Sequence, residues 1–374
     1  MGSIKRISIN GFKSIRELKD FELKDLNVIV GANGAGKSNF IQIFKMVRAM
    51  SQGAFQEFIL KNGGADAFPF DGLKETPEIK IGFEFTSNNP DSVGSNFYRF
   101  SMTSTASETM LLSEECKDKD DHWKSYGSAS LESRLSEQKN VCARDRKRND
   151  AGYFIYDVIS QWMVYHFHDT SSSAPMRRTE IIEDHKKLRG DGSNVAPFLL
   201  HLRENAPQYY EKIRNAIQLV IPFFDDFSLD IIKQGEAEKV KLTWKQKGTD
   251  YPMQPYHFSD GSIRFICLAT ALMQPNPPTA IVIDEPELGL HPEAIHVLAE
   301  LITLAAKRTQ VIIATQSSLL LDNFAIDDII VAKRNQGATT FERLKEKDYN
   351  VWLEDYSVGE LWTRDIIHGG TIYE

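Results

Sequence analysis

The 374-residue sequence has no long hydrophobic run, few cysteines and no excess of positive charge. Its apolar runs, such as residues 280–283, stop at charged residues well short of the roughly 18–20 residues that a membrane helix requires. The N-terminus has no secretory apolar block, and the three cysteines, Cys116, Cys142 and Cys267, have no C-x-x-C spacing. These absences predict a protein of the reducing cytoplasm, with no membrane span, no disulfide framework and no cysteine zinc site.

The charge balance also limits the functions that the chain can have. Its 44 basic and 52 acidic residues give a formal net charge of −8, which excludes a bulk polycation, so binding to nucleic acid would need a local basic surface. The 41% apolar and 26% charged residues are typical of a folded globular protein of two to three structural units. One basic cluster, residues 144–148, ends a polar segment. It is either a solvated helix end or a patch that contacts phosphate.

Residues 31–38 carry the strongest motif, a full match to G-x-x-x-x-G-K-[ST] between a β-branched strand pattern at 26–30 and a helical pattern at 39–50. In this context, backbone N–H groups and the positive end of the helix surround phosphate oxygens. Lys37 is expected to reach the β- and γ-phosphates of ATP, and Ser38 to ligate Mg²⁺. The residues predicted to bind the nucleotide here are Asn33, Gly34, Ala35, Gly36, Lys37, Ser38 and Asn39.

A second motif places two carboxylates, Asp284 and Glu285, directly after the buried strand pattern of residues 280–283. Ligands of α/β proteins bind at the carboxyl ends of strands. Asp284 is therefore predicted to hold Mg²⁺, and Glu285 to accept a proton from the water that attacks the γ-phosphate. Asp284 follows Lys37 by 247 positions, more than adjacent strands of one simple nucleotide domain need.

The pattern along the rest of the chain predicts an antiparallel region and a β/α region. Apolar and polar residues alternate at 79–85 and again near 97–100, whereas strands and helices alternate from about residue 262 onward. The predicted division is an N-terminal ATPase lobe at 1–102, a polar insertion forming an arm or flap at 103–150, lobe-linking strands and helices at 151–255, a C-terminal ATPase lobe at 256–345 and a tail at 346–374.

Residues 31–39, 258–264 and 284–292 together resemble the ABC-type ATPase heads of the SMC/RecF group. The chain looks most like compact bacterial ATPases related to the overcoming-lysogenization-defect (OLD) proteins. The resemblance implies an α/β P-loop NTPase fold with a mixed sheet, an antiparallel lobe and a helical or polar insertion. In that family, two heads enclose two ATP molecules. The resemblance therefore implies that Ser259 and Gly261 contact the γ-phosphate bound by a second copy.

The signature segment departs from the family pattern of Leu-Ser-Gly-Gly-Gln. Phe258, Asp260 and Ser262 replace three of its five residues. Asp260 would repel phosphate unless its side chain turns away, and Arg264 is the residue expected to offset its charge.

Two further positions depart from the family pattern. Gln316 stands where the family has a catalytic switch histidine, and glutamine can form hydrogen bonds but cannot carry charge, so slow hydrolysis is expected. The family also has a glutamine in the loop that links the two lobes, and no such glutamine is evident here. His168 or Asp169, which follow a predicted strand at 163–167, are the candidates for its position beside the metal. Strand alternation would put His166 and His168 on one face as a separate metal site. A third ligand is missing nearby, and histidines packed in a strand or loop are the alternative.

Two functions remain open from the sequence. In the first, an ATPase homodimerises around ATP and Mg²⁺ and thereby switches an interaction with DNA or an effector protein, with a role in anti-phage defence. In the second, a nucleotide-dependent scaffold or sensor with negligible turnover controls a separately encoded nuclease or toxin. Only 58 residues follow Gln316, too few for the nuclease module of OLD proteins, so we expect any nuclease to be a separate chain.

Overall fold

The computed structural model describes residues 2–86, 96–105, 108–117, 122–138 and 151–367. The strands in chain order are β1 (Ser3–Phe12), β2 (Ile15–Glu22), β3 (Leu26–Val30), β4 (Ile79–Thr86), β5 (Asn96–Ser104), β6 (Met110–Lys117), β7 (Trp123–Ser130), β8 (Met163–Tyr165), β9 (Glu180–Ile181), β10 (Phe224–Phe227), β11 (Ile231–Gln234), β12 (Ala237–Val240), β13 (Trp244–Gln246), β14 (Pro252–Met253), β15 (Ala280–Asp284), β16 (Gln310–Thr315), β17 (Ile329–Asn335) and β18 (Ala338–Arg343).

The α-helices are α1 (Lys37–Ser51), α2 (Phe55–Lys61), α3 (Ala151–Ser160), α4 (Val195–Asn205), α5 (Pro207–Val220), α6 (Asp260–Met273), α7 (Pro292–Ala306), α8 (Ser318–Leu321), α9 (Glu346–Leu353) and α10 (Val358–Thr363). Short 3₁₀ turns lie at Ala65–Ala67, Leu135–Glu137, Pro175–Arg177, Pro255–His257 and Ile326–Asp328. The helix predicted over 39–50 is confirmed to within two residues at each end, and strands and helices alternate from residue 260 as expected. No helix in the described ranges is long and apolar enough to cross a membrane.

One sheet is mixed and has the strand order β18-β17-β3-β16-β15-β8. It contains β3, which precedes the glycine loop, and β15, which ends at Asp284. Its strands run parallel except β18, which pairs antiparallel with β17 at the edge. The inner strands are short apolar runs buried on both faces, as parallel strands covered by helices must be. The parallel arrangement brings the carboxyl ends of β3, β15 and β16 to one edge.

An antiparallel sheet, in the order β2-β1-β4-β5-β6-β7, confirms the expected antiparallel lobe and extends it. The described part of residues 103–150 was expected to form an arm or flap; instead, β6 and β7 continue this sheet. Every second residue of β6, from Met110 to Cys116, is buried. The buried Glu114 and the partly exposed Leu111 interrupt the alternation of apolar and polar residues, which concealed the strand period. Cys142 and the basic cluster at 144–148 lie outside the described residues.

Apolar side chains cover both faces of the mixed sheet. Alternate residues of β3 point to opposite sides, so Val28 and Val30 join the core beneath α4 to α7, whereas Ile29 joins the core shared with the antiparallel sheet. Trp162 lies in the shared core, with its ring centroid 5.3 Å from Phe44 and 5.4 Å from Phe83. The two sheets and α1 therefore pack as one body around these aromatic rings.

A single buried amide also joins the two sheets. Gln310, at the start of β16, accepts a hydrogen bond from the N–H of Ile4 at 3.0 Å and donates to the carbonyl oxygen of Ile4 at 2.8 Å. The same amide nitrogen lies 3.0 Å from the carbonyl oxygen of Lys24. Gln310 is 3% exposed, so water cannot replace these bonds.

Substituting Gln310→Leu is expected to lower the free energy of unfolding by about 2–4 kcal/mol, because the buried N–H and C=O groups of Ile4 lose their side-chain partner. Urea unfolding followed by tryptophan fluorescence measures this change. The exposed Gln208→Leu provides a matched control and should change stability little. Equal changes of stability in the two variants would contradict the proposal that Gln310 holds the two sheets together.

Candidate nucleotide site

The loop between β3 and α1 has the backbone geometry of a phosphate cradle. Gly34 and Gly36 have φ angles of +78° and +103°, in the region that favours glycine. A Cβ atom on Gly36 would lie 2.2 Å from Oγ1 of Thr339, whereas one on Gly34 would meet nothing within 4 Å. The loop thus presses against β18 on one side and is open on the other, where Gly34 and Ser38 are exposed beside the N-terminus of α1.

Lys37, the first residue of α1, lies over this loop. Its ammonium nitrogen donates to the carbonyl oxygens of Gly31 at 2.6 Å and Ala32 at 3.1 Å. Burial lowers the pKa of Lys37, and the neighbouring carboxylates of Asp284 and Glu285 act in the opposite direction. The cation is bound by neutral acceptors, and an anionic ligand would compensate for its lost hydration.

The edge strand β18 supports the loop from behind. Oγ1 of Thr339 lies 2.9 Å from the carbonyl oxygen of Ala35 and 2.7 Å from Oγ of Ser14, and Asn39 donates to the same serine oxygen at 2.7 Å. The N–H of Thr339 donates to the carbonyl oxygen of Ser14 at 2.6 Å. Sequence reasoning missed Ser14 and Thr339, because no local pattern connects residues that are distant along the chain.

Ser38 and Asp284 meet across the site. The serine hydroxyl donates to Oδ2 of Asp284 at 3.2 Å, at the carboxyl end of β15. Burial raises the pKa of Asp284, and the bond from Ser38 counteracts part of that rise. His168 lies at the same strand end, with Nε2 3.1 Å from the backbone oxygen of Asp284. Hydroxyl and carboxylate oxygens are ligands that Mg²⁺ prefers, so Ser38 and Asp284 fit such an ion.

Glu285 has an unusual backbone conformation. Its φ angle is +45°, a region that non-glycine residues seldom occupy and that is often found at functional sites. Its N–H donates to the carbonyl oxygen of Ala314 at 2.8 Å, which continues the β15–β16 ladder by one residue. Its carboxylate oxygen Oε1 accepts a hydrogen bond from Nε2 of Gln316 at 2.7 Å. The structure therefore joins the two predicted catalytic side chains directly.

Glu287 is a third carboxylate of this network, and sequence reasoning did not assign it. Its Oε1 accepts hydrogen bonds from the hydroxyl of Thr315 at 2.6 Å and from the N–H of Gln316 at 3.3 Å. Its Oε2 is buried without a hydrogen-bond partner among the described residues. Burial raises the pKa of Glu287. The available signal was its position two residues after Glu285. Glu287 fixes the segment that carries Gln316.

The signature segment forms the exposed N-terminus of α6. Ser259 caps the helix by accepting a hydrogen bond from the N–H of Ser262 at 3.1 Å. Gly261 has no room for a side chain, because a Cβ would lie 2.4 Å from the carbonyl oxygen of Gly289. Within the described residues, the contacts of Ser259 and Gly261 are with α6 and the loop after β15, and the structure does not bring them to the phosphate loop of the same chain.

Asp260 forms its direct ion pair with Arg177, a residue that the sequence did not indicate. Arg177, which is 8% exposed, donates to Oδ1 of Asp260 at 3.1 Å and to the carbonyl oxygen of Thr170 at 3.0 Å. Arg264, the expected partner, donates instead to the carbonyl oxygens of Phe167 at 2.8 Å, His168 at 3.1 Å and Leu288. Asp260 also attracts Arg264 electrostatically, as expected, but the hydrogen bonds of Arg264 brace the loops after β8 and β15.

The histidines near β8 lie beyond the end of that strand. The strand ends at Tyr165, and His166 is a loop residue whose N–H donates to the carbonyl oxygen of Gly190 at 2.9 Å. His166 and His168 are both exposed on either side of the buried Phe167, which fits the expected alternation. Partial desolvation lowers the pKa of His166, and the neighbouring His168 acts in the same direction. The described residues contain no group of three His, Cys, Asp or Glu side chains that could hold a metal ion.

The phosphate loop, the acidic strand end and the mixed sheet define a P-loop NTPase fold of the ABC and SMC-head type. Residues 26–322 match the family model described as "AAA domain, putative AbiEii toxin, Type IV TA system", and the chain belongs to this family. The match begins at β3 and includes the phosphate loop, the signature segment and the acidic residues at the end of β15.

Relatives outside the family model agree with this assignment. The Old nuclease of Escherichia phage P2 is 30% identical over an alignment of 193 residues, and the match covers 45% of this chain and 32% of the nuclease, so the chain spans about a third of that relative's length. A crystal structure of an SMC head bound to the C-winged helix domain of ScpA has a TM-score of 0.60 at 16% identity and covers 93% of this chain and 99% of its own. The Smc head with an extended coiled coil bound to the C-terminal domain of ScpA, derived from Pyrococcus furiosus, has a TM-score of 0.57 at 14% identity, and the match covers 95% of this chain and 99% of that structure.

The resemblance to SMC heads and OLD proteins is confirmed, and the SMC structures establish the fold.

Substituting Thr339→Val should weaken binding of magnesium-ATP about fivefold, because losing one hydrogen bond to the phosphate loop costs about 1 kcal/mol. Isothermal titration calorimetry measures the affinity. Thr340→Val, at the next and exposed position of β18, is the matched control and should bind as the unsubstituted protein does. Unchanged affinity of Thr339→Val would contradict the supporting role assigned to β18.

Proposed function

We propose that this chain is a cytoplasmic ATPase that binds magnesium-ATP, hydrolyses it slowly and uses the bound nucleotide to join two copies of itself. The observation that carries this proposal is the arrangement at the end of β15. Asp284 meets Ser38 of the phosphate loop, while the next residue, Glu285, meets Gln316 of the neighbouring strand end. In this proposal, Asp284 holds the metal ion and the adjacent Glu285 acts as the base, and each carboxylate has its own hydrogen-bond partner.

Several groups of the chain are placed to bind the triphosphate. The backbone N–H groups of residues 33–39 surround the phosphates, and Lys37 moves its ammonium from the loop carbonyls to the β- and γ-phosphates. Ser38 and Asp284 would hold Mg²⁺, which neutralises phosphate charge when bound. Positioning and charge compensation together account for most catalysis of phosphoryl transfer.

Glu285 is the proposed general base, which accepts a proton from the water attacking the γ-phosphate. Gln316 orients its carboxylate through the 2.7 Å hydrogen bond. A glutamine amide is neutral, so Gln316 cannot supply the positive charge of a switch histidine in the transition state. This difference supports slow turnover.

The exposed end of α6 supports a composite site made by two copies. Ser259 and Asp260 are exposed, whereas nearly all of α6 beyond them is buried. The helix N-terminus carries partial positive charge, and the ion pair with Arg177 draws the Asp260 carboxylate away. In the proposed dimer, Ser259 and Gly261 of one copy contact the γ-phosphate bound by the other.

The printed descriptions of the relatives suggest what such a dimer controls. One relative is a phage nuclease, two neighbours are SMC heads bound to domains of another protein, and the family description names a toxin. We infer that ATP-dependent closure switches an interaction with DNA or with a separately encoded nuclease or toxin, as part of anti-phage defence. DNA binding by this negatively charged chain would require a local basic surface.

Glu285→Gln is expected to form a stable dimer in the presence of ATP and Mg²⁺, because the nucleotide binds but is not removed by hydrolysis. Lys37→Ala should remain monomeric, because the phosphate loop loses its cation. Size-exclusion chromatography with light scattering measures the mass of each. If the two variants elute with the same mass in ATP and Mg²⁺, the switch is refuted.

The second candidate, a scaffold or sensor with negligible turnover, is favoured by one observation. The hydrogen bond from Gln316 occupies an oxygen of Glu285 in the isolated chain, so the base is engaged before any substrate water arrives.

Phosphate release with and without duplex DNA separates the two candidates. The ATPase predicts DNA-stimulated turnover that Glu285→Gln removes and that Gln316→Ala lowers about tenfold or more, as expected for loss of a group that positions the base. The scaffold predicts that phosphate release stays at background in the unsubstituted chain, in Glu285→Gln and in Gln316→Ala, while all three still bind ATP.

A further inference from the structure

A cavity of about 380 Å³ lies at the opposite end of the mixed sheet from the phosphate loop. The last turn of α1, the start of β8, the segment 185–188 and the residues that follow α6 form its walls. Its volume falls within the range of small-molecule sites. None of the residues proposed to bind nucleotide lines it.

The charge of the cavity wall is of one sign. Arg48, Lys186 and Lys187 line it together with His185 and His201, and none of the described lining residues is Asp or Glu. Neither lysine forms an ion pair within the described residues. The two imidazole rings stack with their centroids 4.3 Å apart. A cavity with this lining favours an anion.

Arg48 is the innermost cation and lacks full compensation. Its Nε atom is buried and has no hydrogen-bond partner among the described residues. Burial lowers the pKa of Arg48, which records the cost of removing the guanidinium group from water. A phosphate group could accept two parallel hydrogen bonds from this planar donor.

The remaining wall suits an organic group attached to that anion. Pro275, Pro277 and Phe198 supply apolar surface, and the side-chain oxygens of Gln274 and Asn205 are available as acceptors. The amide nitrogens of these two residues bond within the chain, that of Gln274 to the hydroxyl of the buried Tyr165 at 3.0 Å and that of Asn205 to the carbonyl oxygen of His201 at 3.1 Å. Polar groups fixed beside apolar surface are typical of sites that orient a ligand.

We propose that this cavity binds a small organic phosphate of up to mononucleotide size, with Arg48 holding the phosphate and the proline-lined wall holding the organic part. The site is separate from the proposed ATP site.

Calorimetric titration tests the site with the phosphate loop already filled by a magnesium-bound non-hydrolysable ATP analogue. The probes are AMP, GMP, CMP, UMP and glucose 6-phosphate, with adenosine and inorganic phosphate as comparators. At least one organic phosphate should bind more tightly than both comparators. Arg48→Met should weaken that binding about tenfold or more, as expected for a charge-assisted hydrogen bond. Lys347→Met, at an exposed site on α9, should bind as the unsubstituted chain does.

Thermal unfolding shows whether a loss of binding by Arg48→Met arises from a loss of folded structure. Without probe, Arg48→Met should melt at the same or a higher temperature than the unsubstituted chain, because an uncompensated buried cation is removed. With probe, only the unsubstituted chain and Lys347→Met should gain stability. Equal responses of Arg48→Met and the unsubstituted chain, or no response to any organic phosphate, would overturn the proposal. Because these readouts do not measure hydrolysis or dimerisation, the cavity can fail while the ATPase proposal stands, and the reverse.

Discussion

The parallel pairing of β15 with β16 is the constraint on which the candidate nucleotide site depends. Asp284 pairs in register with Ala314, and the N–H of Glu285 extends the ladder to the same residue. Since both strands end at this edge, Glu285 and Glu287, which follow β15, bond to Thr315 and Gln316 at the end of β16. A shift of one residue in this register would reverse which side chains face the core, and Glu285 would separate from Gln316.

The sequence was informative wherever a short stretch determines its own conformation. The glycine loop needs positive φ angles, the buried runs of β3, β15 and β16 require a covered sheet, and the helix patterns are local. It was less informative where a role arises from contact between distant segments. Thr339 supports the loop only because β18 closes the sheet edge, and Arg177 meets Asp260 only in the folded chain. The sequence did not reveal β6 because its buried Glu114 and its partly exposed Leu111 interrupt the alternation of apolar and polar residues.

Three loop carbonyl groups hold the side chain of Arg264 in place. The hydrogen bond to Phe167 is buried and those to His168 and Leu288 are partly buried, and a single guanidinium group supplies all three donors at the base of the signature helix. The loop bearing His168, the loop after Glu287 and α6 are consequently held together. A movement of the exposed end of α6 against a second copy would therefore be transmitted to the acidic loop without any direct contact between Ser259 and Glu285.

The amide of Gln310 has a consequence for how the two sheets can move. All its bonds to the antiparallel lobe and its neighbouring loop converge on one side chain that water does not reach. Small sliding displacements of β1 would leave polar groups without partners, so they are unfavourable at every intermediate position. The two sheets are therefore held together near Gln310. Any opening between them would have to occur by rotation about this point, at the end of the sheets away from Gln310.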